Sequence, residues 1–191
     1  ITKGYAAEDI LFPADAFTSE FLEMLHHDRE ILEQLNADWE KENDDPKFDK
    51  FQENLTHNFF DKEINPSGKL VLFSESVDTL NYLYDRLTKE IGRSDVLMVT
   101  AANRNRLEQT IKENFDANFD SDSMRYNIII TSDVLAEGVN LHRSNVIVNY
   151  DSPWNATRLM QRIGRVNRIG SVAPNIYNYM FYPSQQGDKE I

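Results

Sequence analysis

The segment QRIGRVNR, Gln161 to Arg168, completes a run in which Arg158, Arg162, Arg165 and Arg168 recur at steps of four, three and three, with no acidic residue between Asn155 and Ser171. On a helix this spacing stacks the four guanidinium groups near one face. Each offers a planar fork that pairs bidentately with phosphate or carboxylate, and such groups stabilise the charge that develops on a phosphoryl group in transfer. Gly164 in their midst leaves room for a neighbouring surface to approach. Two readings stay open on this helix alone. Either the arginines await an external anion, or they form a basic face paired with acidic residues elsewhere in a chain whose formal net charge is −12.

Phosphate chemistry of the P-loop kind needs G-x-x-x-x-G-K-[ST] after a strand, and the nearest approach is SGKL at Ser67–Leu70, which precedes one. No acid pair follows a strand in the manner of a magnesium-holding box. If the chain acts on a nucleotide, it supplies only part of the site. The four histidines, His26, His27, His57 and His142, lack metal-ligand spacing, and there is no cysteine. Thiolate zinc, disulfides and a cysteine nucleophile are therefore excluded, which fits a reducing, cytoplasmic setting.

The elements that must carry the arginines follow from hydrophobic periodicity. KLVLF (69–73), DVLMVT (95–100), NIIITS (127–132), NVIVNY (145–150) and NIYNYMFY (175–182) are short apolar runs suited to buried strands, and helical patterns alternate with them. Ser76 is placed to cap the first intervening helix, with Val77, Leu80, Leu83, Leu87 and Ile91 inward and Gly92 at its end. Leu107, Ile111 and Phe115 line the second, and Asn155 caps the arginine helix. This alternation predicts an α/β fold, a parallel sheet flanked by helices, with ligands at the carboxyl ends of the strands.

Residues 1–65 differ in character, carrying 17 acidic and 6 basic side chains against 15 and 14 in residues 66–191. Phe21, Leu22, Leu25, Leu32, Leu35 and Trp39 predict a long amphipathic helix. Phe48, Phe51, Leu55 and Phe59 predict a second, with Pro46 in its first turn. The expected organisation is an acidic helical segment over 1–65, serving as a cover or brace, followed by an α/β domain over 66–191. No apolar run approaches the roughly 20 residues of a membrane span. The chain opens on Ile1 without an initiator methionine and is read as a segment of something longer.

In combination KLVLFSES, IIITSDVLAEGVNL and MQRIGRVNRIG resemble motifs IV, V and VI of the second RecA-like lobe of superfamily-two helicases and translocases, in the right order, over roughly residues 66–182. Within that superfamily YDSPWNATRLMQRIGRVNRIGS is most similar to the Swi/Snf-type double-stranded DNA translocases and their bacterial relatives. It departs from them at Val166-Asn167, where Ala-His is common, and at Ser171, where Gln is common.

The resemblance implies a P-loop-NTPase-like lobe without a P-loop of its own. It implies ATP with Mg2+, bound mainly by an N-terminal RecA-like lobe of the same protein outside this chain, and nucleic acid as partner, duplex DNA ahead of RNA. Arg165 and Arg168 would reach the ATP γ-phosphate. Gln161, Gly138 and Asn140 would approach the nucleotide, and Ser74, Thr131 and Ser132 would contact nucleic-acid phosphates. Arg158 and Arg162 are expected to pair with the domain's own acids, and Trp154 to pack beside the helix start, base stacking being the alternative. The lobe alone should be inactive. The rival from another class is a non-catalytic RecA-like scaffold or nucleic-acid-binding module; a second is a lobe of an RNA helicase.

Overall fold

The computed structural model describes residues 13, 16–41, 44–120, 124–135 and 138–182. Its elements run α1 (Ser19–Lys41), α2 (Pro46–His57), β1 (Leu70–Phe73), α3 (Val77–Asp85), β2 (Val96–Val99), α4 (Arg104–Phe115), β3 (Ile128–Thr131), β4 (Val146–Asn149), α5 (Ala156–Val166) and β5 (Tyr177–Met180). A π-turn, Arg86–Glu90, extends α3, and a 3-10 turn, Asp133–Leu135, follows β3. All five expected strands form. They pair in parallel in the order β2-β3-β1-β4-β5.

Both faces of the sheet are covered, so the central strands are apolar without alternation and wholly buried. Leu70 and Leu72 of β1 face one layer with Ile128, Ile130, Val146 and Val148, packed under α2 and α3. Val71 and Phe73 face the other with Ile129 and Ile147, beneath α4 and α5. Ser76 caps α3 by accepting the Thr79 N–H at 3.4 Å, and Gly92 takes the positive φ of 77° that ends the π-turn. Val77, expected inward, lies in the first turn and is exposed.

The chain divides into compact units at Pro46 and Lys47, not at residue 65. The aromatic stripe of α2 is the reason. Phe48, Phe51, Leu55 and Phe59 are buried in the core of the second unit, and Phe51 meets Tyr150 edge to face at 5.9 Å while Phe59 meets Tyr179 at 4.8 Å. The helix expected to brace the domain from outside is thus one of its core layers. In the first unit α1 forms as the periodicity predicts, and it buries none of its residues. No described helix is long and apolar enough to cross a membrane.

Truncating the α2 stripe should unfold the second unit early. Phe51→Ala is expected to cost about 3–5 kcal/mol, lost contacts plus the cavity left behind, read as a lowered midpoint in urea. A midpoint within error of the unaltered chain would remove α2 from the core.

Candidate functional site

The strand order sets the ends of β3, β1 and β4 side by side at the carboxyl edge of the sheet. Ser74, just beyond β1, is fully buried, and its hydroxyl donates to the Asp151 carboxylate beyond β4. Lys47, at the start of α2, donates to the same carboxylate at 2.8 Å. Burial pushes the Asp151 carboxyl upward, but the hydrogen bonds from Lys47 and Ser74 together with the Lys47 charge outweigh it and hold the group below its usual range. Thr131 ends β3, fully buried, with its hydroxyl on the Ser132 carbonyl at 3.1 Å. Ser132 is half-buried and opens the 3-10 turn, its hydroxyl accepting the Val134 N–H at 3.5 Å.

Over this edge runs α5. Asn155 caps it, accepting the Arg158 N–H at 2.9 Å. Arg162 is completely buried. Its Nε donates to Asp133 at 2.6 Å and its Nη1 to Asn149 at 3.0 Å, with the guanidinium 5.0 Å above the Phe73 ring. Arg158 reaches the other Asp133 oxygen at 3.1 Å, and both arginines lie within 4 Å of Glu75. These two arginines pair with the domain's own acids, which stand on the loops after β1 and β3. Spacing within α5 carries no sign of Glu75, Asp133 or Asn149, and only the strand order brings them there. Asp133 was in view inside IIITSDVLAEG, but as part of a loop motif.

One expectation about this helix needs correction. Trp154 does not pack beside the helix start: its side chain is 90% exposed, and only its backbone N–H is engaged, with Glu75 at 3.2 Å. The first turn is held instead by the Asn155 cap and the Arg158–Asp133 pair. Gly164 faces open space: beyond its own helix no heavy atom of the lobe lies within 4 Å of where its Cβ would stand, so the room it leaves is not filled within the lobe.

At the far end of α5 the remaining arginines meet a second group. The Arg165 carbonyl accepts the Leu141 N–H at 2.9 Å, and Arg165 is half-buried. Arg168, exposed and just past the helix, donates from Nε to the Gly164 carbonyl at 3.1 Å and from Nη1 to the side-chain oxygen of Asn140. The other end of that amide donates to Asp116 at 3.1 Å. Gly138 adopts φ 78°, a left-handed conformation that favours glycine, and a Cβ there would fall 2.5 Å from the end of the flexible Arg104 side chain. Gln161 is half-buried midway along α5. The eight candidate residues therefore fall into a strand-end set, Ser74, Thr131 and Ser132, and a helix-end set, Gly138, Asn140 and Arg168, with Gln161 and Arg165 on the helix that joins them.

His142 lies beneath the second set, 1% exposed, with neither ring nitrogen hydrogen-bonded within the protein and Nδ1 3.7 Å from the Asp116 carboxylate. Burial pushes the imidazole below its ordinary value; Asp116 works against that shift, and Arg168 and Arg143 add to it. No group of three or more histidine, cysteine or carboxylate side chains suited to a metal occurs among the described residues.

Residues 46–170 match the helicase conserved C-terminal domain family. The chain belongs to it. Relatives of this helicase domain include the uncharacterized ATP-dependent helicase YqhH of Bacillus subtilis (strain 168), 46% identical over 52 residues, 27% of this chain and 9% of that protein. The ATP-dependent RNA helicase DBP5 of Debaryomyces hansenii is 29% identical over 117 residues, 57% of this chain and 22% of that protein. Eukaryotic initiation factor 4A of Drosophila melanogaster is 34% identical over 86 residues, 45% and 20%. The chain spans less than a quarter of the length of each.

Among solved structures, the C-terminal part of the Fun30 ATPase domain superposes with a TM-score of 0.57 at 19% identity, over 70% of this chain and 40% of that one, which shows the fold. A variant of S. cerevisiae Dbp5 bound to RNA and ADP BeF3 superposes at 0.53 with 25% identity, over 74% and 34%. The five-stranded parallel sheet with its flanking helices is the RecA-like fold of a helicase C-terminal lobe.

Two outcomes follow from the buried groups of this helicase domain. Asp133→Ala strands the Arg162 charge in the core and is expected to cost about 3–5 kcal/mol, measured as a fall in denaturant midpoint; a loss below about 1 kcal/mol would make the pair an ordinary surface bridge. For His142 the folded pKa lies below the unfolded value of about 6.5, so the unfolded chain binds the proton more readily. Stability is then complete above that pH and is lost as pH falls below it. The melting temperature should drop between about pH 7.5 and pH 5.5, and His142→Leu, which removes two unpartnered buried nitrogens, should flatten the drop without lowering the melt at the upper pH.

Proposed function

We propose that this chain is the second motor lobe of an ATP-dependent nucleic-acid helicase or translocase, working against an N-terminal RecA-like lobe of the same protein. The observation that carries this reading is the division of labour along α5. Arg158 and Arg162 are spent on Asp133 and Glu75, whereas Arg168 commits two of its five N–H donors to neutral oxygens and presents the rest at an exposed helix end.

In this reading Mg2+ and the ATP phosphates are held mainly by the first lobe. Arg165 and Arg168 approach the γ-phosphate across the cleft when the lobes close. There they stabilise charge spread over its oxygens, while Gln161 and the Gly138–Asn140 loop line the nucleotide side. Ser132, half-buried at the strand ends, contacts a nucleic-acid phosphate; Ser74 and Thr131, expected to contact phosphate as well, are fully buried with their hydroxyls on Asp151 and the Ser132 carbonyl, and support the edge on which Ser132 stands. Hydroxyl and backbone contacts of this kind position a strand without reading its sequence. Opening and closing of the cleft would move the pair of lobes along the backbone in the cytoplasm. The Swi/Snf-like motif VI lead-in favours duplex DNA as the track. RNA is favoured by the curated relatives named as RNA helicases, so the substrate test must include both.

In the full-length protein, Arg165→Ala and Arg168→Ala are expected to lower ATP turnover on the order of 10³-fold at saturating nucleic acid, with melting temperature and nucleic-acid affinity retained. Lysine at either position should not restore turnover, since a compact ammonium cannot reproduce the planar fork. Turnover should rise more with duplex DNA than with RNA; the reverse would make the chain a lobe of an RNA helicase. Unchanged turnover in both arginine variants would leave the scaffold reading.

A further inference from the structure

Asp116 belongs to no motif, yet it stands at the centre of the contacts behind Arg168. It follows α4 directly, with its N–H on the Lys112 carbonyl at 3.1 Å, and its own carbonyl accepts Arg143 Nη2 at 2.7 Å. Oδ1 of its carboxylate accepts the Asn118 N–H at 2.9 Å, and Oδ2 accepts the Asn140 amide N–H at 3.1 Å. The Asn140 oxygen in turn accepts Arg168 Nη1.

The polarity of this chain of contacts is set by the groups at its two ends. An asparagine amide offers an oxygen on one side and an NH2 on the other, nearly equal in shape, and nothing in its own geometry chooses between the two orientations. A carboxylate can only accept and a guanidinium can only donate. Asp116 therefore draws the NH2 of Asn140 toward itself and turns the oxygen toward Arg168. Without that acceptor the amide is free to present NH2 to the guanidinium, donor against donor. Arg168 lies past the end of α5 and is exposed, so apart from its bond to the Gly164 carbonyl little else restrains it.

We propose that Asp116 is a positioning residue for Arg168, holding its guanidinium, by way of the Asn140 amide, in the orientation that presents its uncommitted N–H groups to a phosphate. The inference rests on the assignment of Arg168 given under Proposed function. It extends that assignment to a residue with no contact to the nucleotide, and it assigns Asn140 the task of orienting Arg168.

The discriminating change is Asp116→Asn. It keeps an oxygen for the Asn118 N–H, and so keeps the turn after α4, but sets an NH2 against the NH2 of Asn140 and so works against the amide orientation that Arg168 needs. In the full-length protein at saturating nucleic acid, kcat is expected to fall about 10- to 100-fold, the scale of a misplaced catalytic group, with KM for ATP within about twofold and the melt unchanged. Adding Asn140→Asp restores an acceptor on both sides, toward position 116 and toward Arg168, and should recover most of the lost kcat. A purely structural role for Asp116 would move the melt and show no such recovery.

Arg168→Ala is measured alongside. If it turns over normally, the assignment of Arg168 fails and the inference falls with it. If Arg168→Ala is crippled while Asp116→Asn stays within about twofold of normal, or while the paired variant recovers nothing, the inference alone is overturned.

Discussion

A guanidinium with no exposed surface organises this lobe. Arg162 is held by Asp133 from the turn after β3, by Asn149 from the end of β4 and by the ring of Phe73 at the end of β1, so one side chain of α5 gathers three neighbouring strand ends. Burying a charge costs several kcal/mol, and the cost is offset only while each partner stays in place. The interaction thus contributes position more than stability: α5 has one seat on the sheet, and departures from it strand the charge. Arg158, half-exposed on the same carboxylate, adds a weaker second attachment in the same direction.

That seat determines what the rest of α5 can do. A helix of 11 residues spans about 16 Å, so anchoring its first two turns carries Arg165 and Arg168 to the opposite end, beside the loop that runs from β3 into β4. There the attachments change character. Leu141 donates its N–H to the Arg165 carbonyl, the Asn140 oxygen accepts from Arg168, and among the described residues the guanidinium of Arg168 meets no carboxylate directly. A motif with four similar arginines is therefore two devices in series, the first spent internally so that the second can be held out.

Much of this was legible in the sequence, and the failures share a cause. The five strands were readable because burial on both faces demands unbroken apolar runs, and caps at Ser76 and Asn155 because they act on their own neighbours. Periodicity also predicted α1 and α2 alike, but could not say that one stripe would be buried and the other not. The stripe along α2 and the turn just beyond it is aromatic at Phe48, Phe51 and Phe59, and it meets Tyr82 of α3, Tyr150 just past β4 and Tyr179 of β5. The partners of Arg162 escaped notice for the same reason. Asp133 and Asn149 lie 29 and 13 residues away, and strand order alone brings them to α5. Trp154 was assigned to packing on its residue type, and the structure leaves it exposed, with polar contacts closing the helix start instead.

The two arginine devices also explain why neutral groups surround the second. A carboxylate on the N–H groups that Arg168 leaves uncommitted would compete with an incoming phosphate for the same fork and would have to be displaced. A carbonyl and an amide oxygen restrain the guanidinium without cancelling its charge, and Asp116 is set one amide further back. His142, buried beside that carboxylate and kept toward its neutral form, adds no competing cation behind it at neutral pH. Charge is consequently paired where α5 must be fixed, and Arg168 keeps uncommitted donors where an anion is to be received. Exchanging the two arrangements would loosen the helix at its seat and occupy the guanidinium that the exposed end presents.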